Sequence, residues 1–581
     1  MGVKLAKTAG FCMGVKRAVD MVIDMARRTG GETIYTYGPL IHNPQTVELL
    51  RKRRIVPIRG LDEIDGLPAG AMLAIRAHGI SPAERKKIKE KGFRIIDATC
   101  PKVGRVQAII RKHAAQGFAI LIAGDQEHPE VNGLLGFAGG AGMVLGSLTD
   151  VEGLPELPKV CVVAQTTQSV EEYAAICRRI RTRFPEAVVF DTICDSTEKR
   201  QKEIRELAAG TDAVFIVGGL NSANTRRLAE LAKLQGKPAF QIETADELKG
   251  IDVEPYRRIG VSAGASTPNW IIDRVADHLT GRQGKGKELF RRLFRVWVFA
   301  VRTDIYSAAG AGCLSLAAML LQGIRVNPLH IMTASLYVYA MHVLNRFINR
   351  KASSISSFRE ESYLLHERIY MTLAVFSLVI ALGASLVAGP APFILLFVIS
   401  LAGALYNARL LPSGWRFQSL QDIPGSKNVA IAVAWGAVTA LLPWIETGGL
   451  PMPGLAVAFF FVAALVFIRS SLSDILDVQS DRLIGRETLP VLIGEKRTLR
   501  LLQMISGLLF VLLAVASPAE WSAPFSFVLL GSVFYIWICF KLYDRRSGFS
   551  GVVLEGLLES SYIVAGVGAI LWLIAGGGPA G

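Results

Sequence analysis

Three times in the first half of the chain a short run, apolar and β-branched in two of the three copies, leads to a cysteine and then gives way to a segment of helical periodicity. The runs are KLAKTAGFC (4–12), FRIIDATC (93–100) and AVVFDTIC (187–194), and they close on Cys12, Cys100 and Cys194. After Cys12, GVKRAVDMVIDMARR carries basic and apolar residues at the 3–4 spacing of a helix, and the other two cysteines are followed by similar segments. Each copy then returns to a strand and a turn, in TIYTYGPLIHNPQ, FAILIAGDQEHPE and AVFIVGGLNSANT. The interval from each cysteine to the glycine of that turn, Gly38, Gly124 or Gly218, is 26, 24 and 24 residues. A later element recurs as MLAIRAHGI, VCVVAQTTQSV and RIGVSAGASTP, which places His78, Thr166 and Ser266 at equivalent strand ends.

Strands alternating with helices predict α/β modules, in which ligands gather at the carboxyl ends of the strands. Pseudo-threefold packing of three modules would bring three such ends together. A cysteine just after a strand and just before a helix sits where amide donors and the helix dipole favour a thiolate. The group expected to converge is Cys12, Cys100, Cys194, His42, His78, His128, Glu130, Thr166, Ser222, Asn224 and Ser266. Thiolates are soft ligands suited to iron–sulfur, and the other residues are donors for an anion. A single cysteine after a strand is usually a small core residue, but three in register argue against that reading. A disulfide would leave one thiol over. Structural zinc is the rival metal, yet it prefers four ligands, commonly in CxxC pairs, and no fourth cysteine stands in register. Cys161, Cys177, Cys313 and Cys539 are read as packing residues.

These motifs give the first 281 residues a close resemblance to the LytB family of 4-hydroxy-3-methylbut-2-enyl diphosphate reductases. The resemblance runs through GFCMGVKRAV (10–19), GPLIHNP (38–44), RAHGI (76–80), DATCPKV (97–103), HPEV (128–131), QTTQSV (165–170), DTICDSTEKRQ (191–201), NSAN (221–224) and GASTP (264–268). It implies a trefoil of three α/β modules around a [4Fe–4S] cluster held by Cys12, Cys100 and Cys194, with one iron left open for the substrate hydroxyl. The implied reaction is a two-electron reductive dehydroxylation of an allylic diphosphate to isopentenyl and dimethylallyl diphosphates. By the same resemblance Glu130 delivers the proton and Thr166 helps to relay it. His42, His78, His128, Ser222, Asn224 and Ser266 would bind the diphosphate. The chain departs from the family at Ala223, where NSSN is usual; one lost phosphate hydrogen bond costs on the order of 1–3 kcal/mol. No flavin or nicotinamide motif is present, so the resemblance implies a ferredoxin or flavodoxin as electron donor.

The second half changes solvent. Nine apolar stretches, each of a length that crosses a bilayer, are expected at about 296–321, 328–347, 370–388, 392–408, 429–445, 453–470, 500–516, 524–541 and 553–576. No signal peptide precedes them, so the first half is expected in the cytoplasm of a bacterial cell, at the inner membrane. The connections on that side then carry Arg346, Arg350 and Lys351; Arg409, Arg416 and Lys427; Arg482, Arg486, Lys496 and Arg497; and Lys541, Arg545 and Arg546. The opposite connections carry only Arg325, which is the positive-inside pattern. The net charge of +15 is therefore topological and does not point to nucleic acid. The expected division is a reductase domain at 1–281, a basic amphipathic linker at 282–295 lying on the membrane surface, and a transmembrane domain at 296–581.

Nine spans and one acidic loop, SDILDVQSDRLIGRETLPVLIG (473–494), resemble the UbiA-type prenyltransferases. Asp474, Asp477 and Asp481 are spaced to face one side of a helical segment and could hold Mg²⁺ against a diphosphate. That family carries a second aspartate motif of NDxxDxxxD type after the second span. Here NRFINRKASS (345–354) keeps Asn345 but has Arg346, Asn349 and Ser353 where carboxylates are expected. Two other readings remain open: a membrane-anchored iron–sulfur redox sensor, and a prenyltransferase with a regulatory N-terminal half.

Overall fold

The runs MLAI, AILIA, VCVVA and AVFIV form strands that are buried along almost their whole length in the computed structural model. Continuous apolar runs of this kind belong to parallel strands covered on both faces. The structure describes residues 2–29, 31–282, 288–348, 366–406, 408, 419–423, 425–448, 452–484, 486–544 and 551–577. They fall into two compact units, Met1–Gly284 and Lys285–Gly581.

The first unit contains three four-stranded sheets, all parallel. One holds β2 (Ile34–Tyr37), β3 (Ile55–Ile58), β4 (Met72–Ile75) and β5 (Arg94–Asp97) in the order β3-β2-β4-β5. The next repeats it with β6 (Ala119–Ala123), β7 (Gly142–Leu145), β8 (Val160–Ala164) and β9 (Val188–Val189), in the order β7-β6-β8-β9. The third contains β10 (Ala213–Val217), β11 (Ala239–Ile242) and β12 (Arg258–Ala263), and its fourth place is taken by β1 (Gly2–Leu5) from the start of the chain. Leu5 pairs with Val261 there. The repeat seen in the sequence is thus a threefold repeat of one sheet topology, with its last copy completed by the first strand. Cys161 lies wholly buried on β8 and Cys177 is buried in the core between sheet and helix, both as packing residues.

The second unit is helical among its described residues. α10 (Glu288–Arg302) and α11 (Ile305–Leu321) meet at an 82° bend, at Asp304, whose backbone is left-handed with φ 58°. α10 begins inside the segment 282–295 that was expected to be a linker; residues 283–287 lie outside the described residues. The expected count of nine spans is not reproduced. Among the described residues six helices are long and apolar enough to cross a membrane, or seven if the bent pair counts as one. These are Glu367–Ala388, Ser426–Glu446, Met452–Leu476, Glu495–Ala516, Ser526–Tyr543 and Gly551–Ile574. The stretch at 392–408 falls on a shorter helix, Pro390–Leu405. That at 328–347 falls on α12 (Pro328–Ile348), where His330, His342, Asn345 and Arg346 dilute the apolar character. Large apolar side chains such as Phe376, Phe460, Leu508 and Phe534 point outward from these helices, as expected of a surface solvated by lipid. The second unit is that of a multi-pass membrane protein.

Candidate active site

Each cysteine ends one module and starts the next helix. Cys12, Cys100 and Cys194 are the N-caps of α1 (Met13–Arg28), α4 (Pro101–Ala114) and α7 (Asp195–Ala209). Their backbone N–H groups donate to the carbonyls of Ala265, Ala77 and Thr166 at 3.0, 2.9 and 3.0 Å. Every one of those carbonyls lies just past the third strand of a module. The cysteines are therefore tied to the loops that carry Ser266, His78 and Thr166. The sulfurs come together as well: a Cβ on Gly14 would lie 2.6 Å from Sγ of Cys100 and 3.9 Å from Sγ of Cys12. Cys100 also feels the charge of both Cys12 and Cys194, although burial is the main cause of its raised thiol pKa. All three are free thiols.

Arg200 lies beside them, almost fully buried on α7, donating to the carbonyls of Gly10 at 2.6 Å and Ala263 at 3.0 Å. Its Nε has no partner, and it lies within electrostatic range of Cys12 and Cys194. Lys102 and Asp195 join the first turns of α4 and α7 at 3.1 Å. Three free thiols at three helix N-termini, with a buried guanidinium beside two of them, suit an anionic three-thiolate group.

A second ring of residues follows the first strand of each module. Asn43 caps α2 (Pro44–Arg51), His128 caps α5 (Pro129–Leu135) and Ser222 caps α8 (Ala223–Leu234). His42 and His128 meet His78 from the neighbouring loop, with ring centroids 4.9 Å (His42–His78), 5.3 Å (His78–His128) and 6.1 Å (His42–His128) apart. Burial lowers the pKa of all three, that of His128 to about 4. The rings are therefore neutral at pH 7. His128 Nδ1 accepts from the Glu130 backbone N–H at 3.2 Å, so its proton resides on Nε2. Ser266 Oγ donates to the His42 carbonyl at 3.3 Å, and a Cβ on Gly219 would meet the same carbonyl at 2.8 Å. This brings the turn before Ser222 and Asn224 against the histidines.

Glu130 is 2% exposed. Its two oxygens accept from the Thr166 backbone N–H at 2.7 Å and from Thr166 Oγ1 at 2.9 Å. Burial outweighs those bonds and pushes its carboxyl up to about 7. Buried polar atoms are normally paired. Here His42 Nε2, His78 Nδ1, Asn224 Nδ2, Arg76 Nε and Asp125 Oδ2 are buried without partners. Four of these five come from residues that can donate to a polyanion.

Residues 3–280 match the family model described as LytB protein. The 4-hydroxy-3-methylbut-2-enyl diphosphate reductase of Opitutus terrae is 43% identical over 287 residues, covering 48% of this chain and 99% of that protein. The chain belongs to the LytB family. The LytB reductase of Pelobacter propionicus is 44% identical over 276 residues, covering 47% of this chain and 96% of that one. Among solved structures, the reductase of Plasmodium falciparum is 26% identical, with a TM-score of 0.45, over 49% of this chain and 93% of that chain. Beyond the LytB domain, residues 305–551 match the UbiA prenyltransferase family model, and the second unit is a UbiA-family domain.

In this LytB-family chain the UbiA-type acids Asp474, Asp477 and Asp481 lie within electrostatic range of one another, around the break between the helices Met452–Leu476 and Val478–Ile484. Asp474 and Asp481 are buried, whereas Asp477 is exposed. Both oxygens of Asp474 are taken, by Lys427 Nζ at 3.1 Å and by Asn428 Nδ2 at 2.7 Å. Arg346, where a family carboxylate is expected, makes a two-point pair with the buried Asp304 at 2.9 and 2.9 Å. Asn349 and Ser353 lie outside the described residues. The residues present do not suit a pair of magnesium ions. Sequence reasoning assigned no role to Arg76, Arg200, Asp125 or Arg227. Three of them, Arg76, Arg200 and Asp125, stood inside quoted runs, RAHGI, DTICDSTEKRQ and FAILIAGDQEHPE, but only the fold shows what they approach.

Proposed function

We propose that the first unit is a 4-hydroxy-3-methylbut-2-enyl diphosphate reductase. Its reaction takes up two electrons and two protons, breaks the allylic C–O bond, releases water, and leaves isopentenyl or dimethylallyl diphosphate. The observation that carries this reading is the convergence of three helix-capping thiols with the buried Glu130–Thr166 pair in one threefold constellation. A [4Fe–4S] cluster held by Cys12, Cys100 and Cys194 would supply the electrons and a Lewis-acidic iron for the substrate hydroxyl.

This chain's own residues supply the rest. His42, His78, His128, Ser222, Asn224 and Ser266 bind and orient the diphosphate through donors that are otherwise unpaired or lie beside them. Glu130, protonated up to about pH 7, holds the proton that leaves with the hydroxyl as water, and Thr166 Oγ1 relays it. The electrons come from a ferredoxin- or flavodoxin-type donor. The UbiA-like unit anchors this chemistry in a bacterial inner membrane with the reductase on the cytoplasmic side. Prenyl transfer through magnesium is not part of this activity, because Lys427 and Asn428 hold Asp474 and Arg346 stands where a carboxylate is expected.

Anaerobic turnover of the substrate by purified, iron-reconstituted protein with a reduced viologen tests the assignment. Product from the wild type and none from Cys194→Ser is expected. A wild type that carries its cluster signal but forms no product would sink the reading.

A further inference from the structure

The nitrogen atoms of His42, His78 and His128 lie within 4.8 Å of one another, a spacing that admits a divalent metal ion as well as an anion. The surrounding charges separate the two. Arg76, two residues before His78, is in electrostatic range of all three rings. Arg227 adds a second positive charge at His128, where Asp125 is the opposing carboxylate. That carboxylate is itself paired with Arg227 at 2.9 Å. Glu84 and Tyr37 also lie within electrostatic range of Arg76. Glu84 accepts from Tyr37 Oη at 2.8 Å and from Ser81 N and Oγ at 2.8 and 2.7 Å, and it is not among the charges that act on the three rings.

Arg76 is fixed by packing. Gly38 turns with φ +72°, and a Cβ there would sit 2.4 Å from the guanidinium nitrogen and 3.1 Å from its central carbon. The absence of a side chain is what lets the guanidinium reach the loop that carries His42. Its buried Nε has no partner. A dication placed among the rings would face Arg76 and Arg227 with one carboxylate to compensate, whereas a polyanion would be drawn in.

We propose that Arg76 supplies the fixed positive charge of the three-histidine pocket and so selects a diphosphate anion over a divalent metal ion. The identity of the natural ligand rests on the reductase reading; the preference of the pocket does not. Arg76 acts here as a positioning and electrostatic residue.

The test is equilibrium dialysis of the full-length, cluster-reconstituted protein against labelled inorganic pyrophosphate and, separately, against Zn²⁺, with Arg76→Met and Arg76→Lys. Arg76→Met is expected to weaken pyrophosphate binding roughly tenfold or more, as for loss of a charge-assisted contact, and Arg76→Lys to restore most of it. The pH profile separates charge from structure. Without Arg76 the rings lose a positive neighbour and take up protons more readily, so the gain in pyrophosphate affinity on acidification begins at a higher pH in Arg76→Met. Wild-type pyrophosphate affinity and pH profile in Arg76→Met would overturn the proposal. So would a wild type that takes Zn²⁺, released by His78→Gln, in preference to pyrophosphate; that result decides even if Arg76→Met fails to fold. A wild type that binds pyrophosphate through Arg76 yet turns over no substrate would overturn the reductase reading and support this one.

Discussion

In the reaction proposed for the first unit, Glu130 is the residue that holds the proton. Burial raises its carboxyl from the ordinary range to about 7, against the two Thr166 bonds that favour ionisation. Activity that uses this proton is therefore expected to fall as pH rises through about 7. In Glu130→Gln it is expected to drop about 100-fold or more and lose that limb, as a pH–rate profile would show. The same shift makes the folded state bind the proton more tightly than the unfolded chain does. Its stabilising contribution is full below the unfolded carboxyl pKa and is lost as pH rises through about 7. At this scale the sequence was readable where chemistry repeats: three cysteines and three strand-end donors recur at matched intervals. Arg76, Arg200 and the Asp125–Arg227 pair were not readable, because their partners are contributed by other segments. Arg227, for instance, reaches back 102 residues to Asp125.

The elements depend on positions where a side chain has been left out. Gly14, in the first turn of α1, lies against the sulfurs of Cys100 and Cys12. Gly14→Ala would press a methyl group into them at a cost of about 1–3 kcal/mol. Iron and sulfide content per chain after reconstitution is expected to fall well below wild type, with the helix retained. In the second unit, a Cβ on Gly310 of α11 would meet the Tyr562 ring at 2.8 Å, and one on Gly566 would meet Cys313 Sγ at 2.4 Å. Small residues of this kind let membrane helices approach closely. Gly566→Val should lower the melting temperature of the UbiA-like unit in detergent while leaving turnover by the reductase intact. The long buried strands and the helices behind the cysteines could be anticipated from periodicity. The outer strands β3, β7 and β11 could not: each is four residues long, and β3 contains Pro57, which weakens any strand signal. The nine apolar stretches of the second unit were visible in the sequence, but the 82° bend between α10 and α11 and the 16-residue length of the helix Pro390–Leu405 were not.

For the whole molecule, the first unit covers 99% of the length of the Opitutus terrae reductase and 96% of that of Pelobacter propionicus. A chain ending at Gly284 is expected to keep turnover within a few-fold of the full protein. The full protein should resist alkaline carbonate extraction from membranes, and the truncated one should not. Loss of activity in the truncated chain with its cluster intact would show instead that the UbiA-like unit contributes to the reaction.

One feature of the first unit sets a timetable. Among the described residues β1 pairs only with β12, so Gly2 must wait for Arg258 before its strand joins a sheet. At ordinary rates of synthesis, about 5–20 residues per second, that wait lasts on the order of 10–50 seconds. Until it ends, the loop bearing Cys12 has no sheet to hold it, while the sheets ending near Cys100 and Cys194 can already form. Newly made chains would therefore pass through a stage with two of three thiols in place, and the three-thiol site is complete only after β12 has been translated.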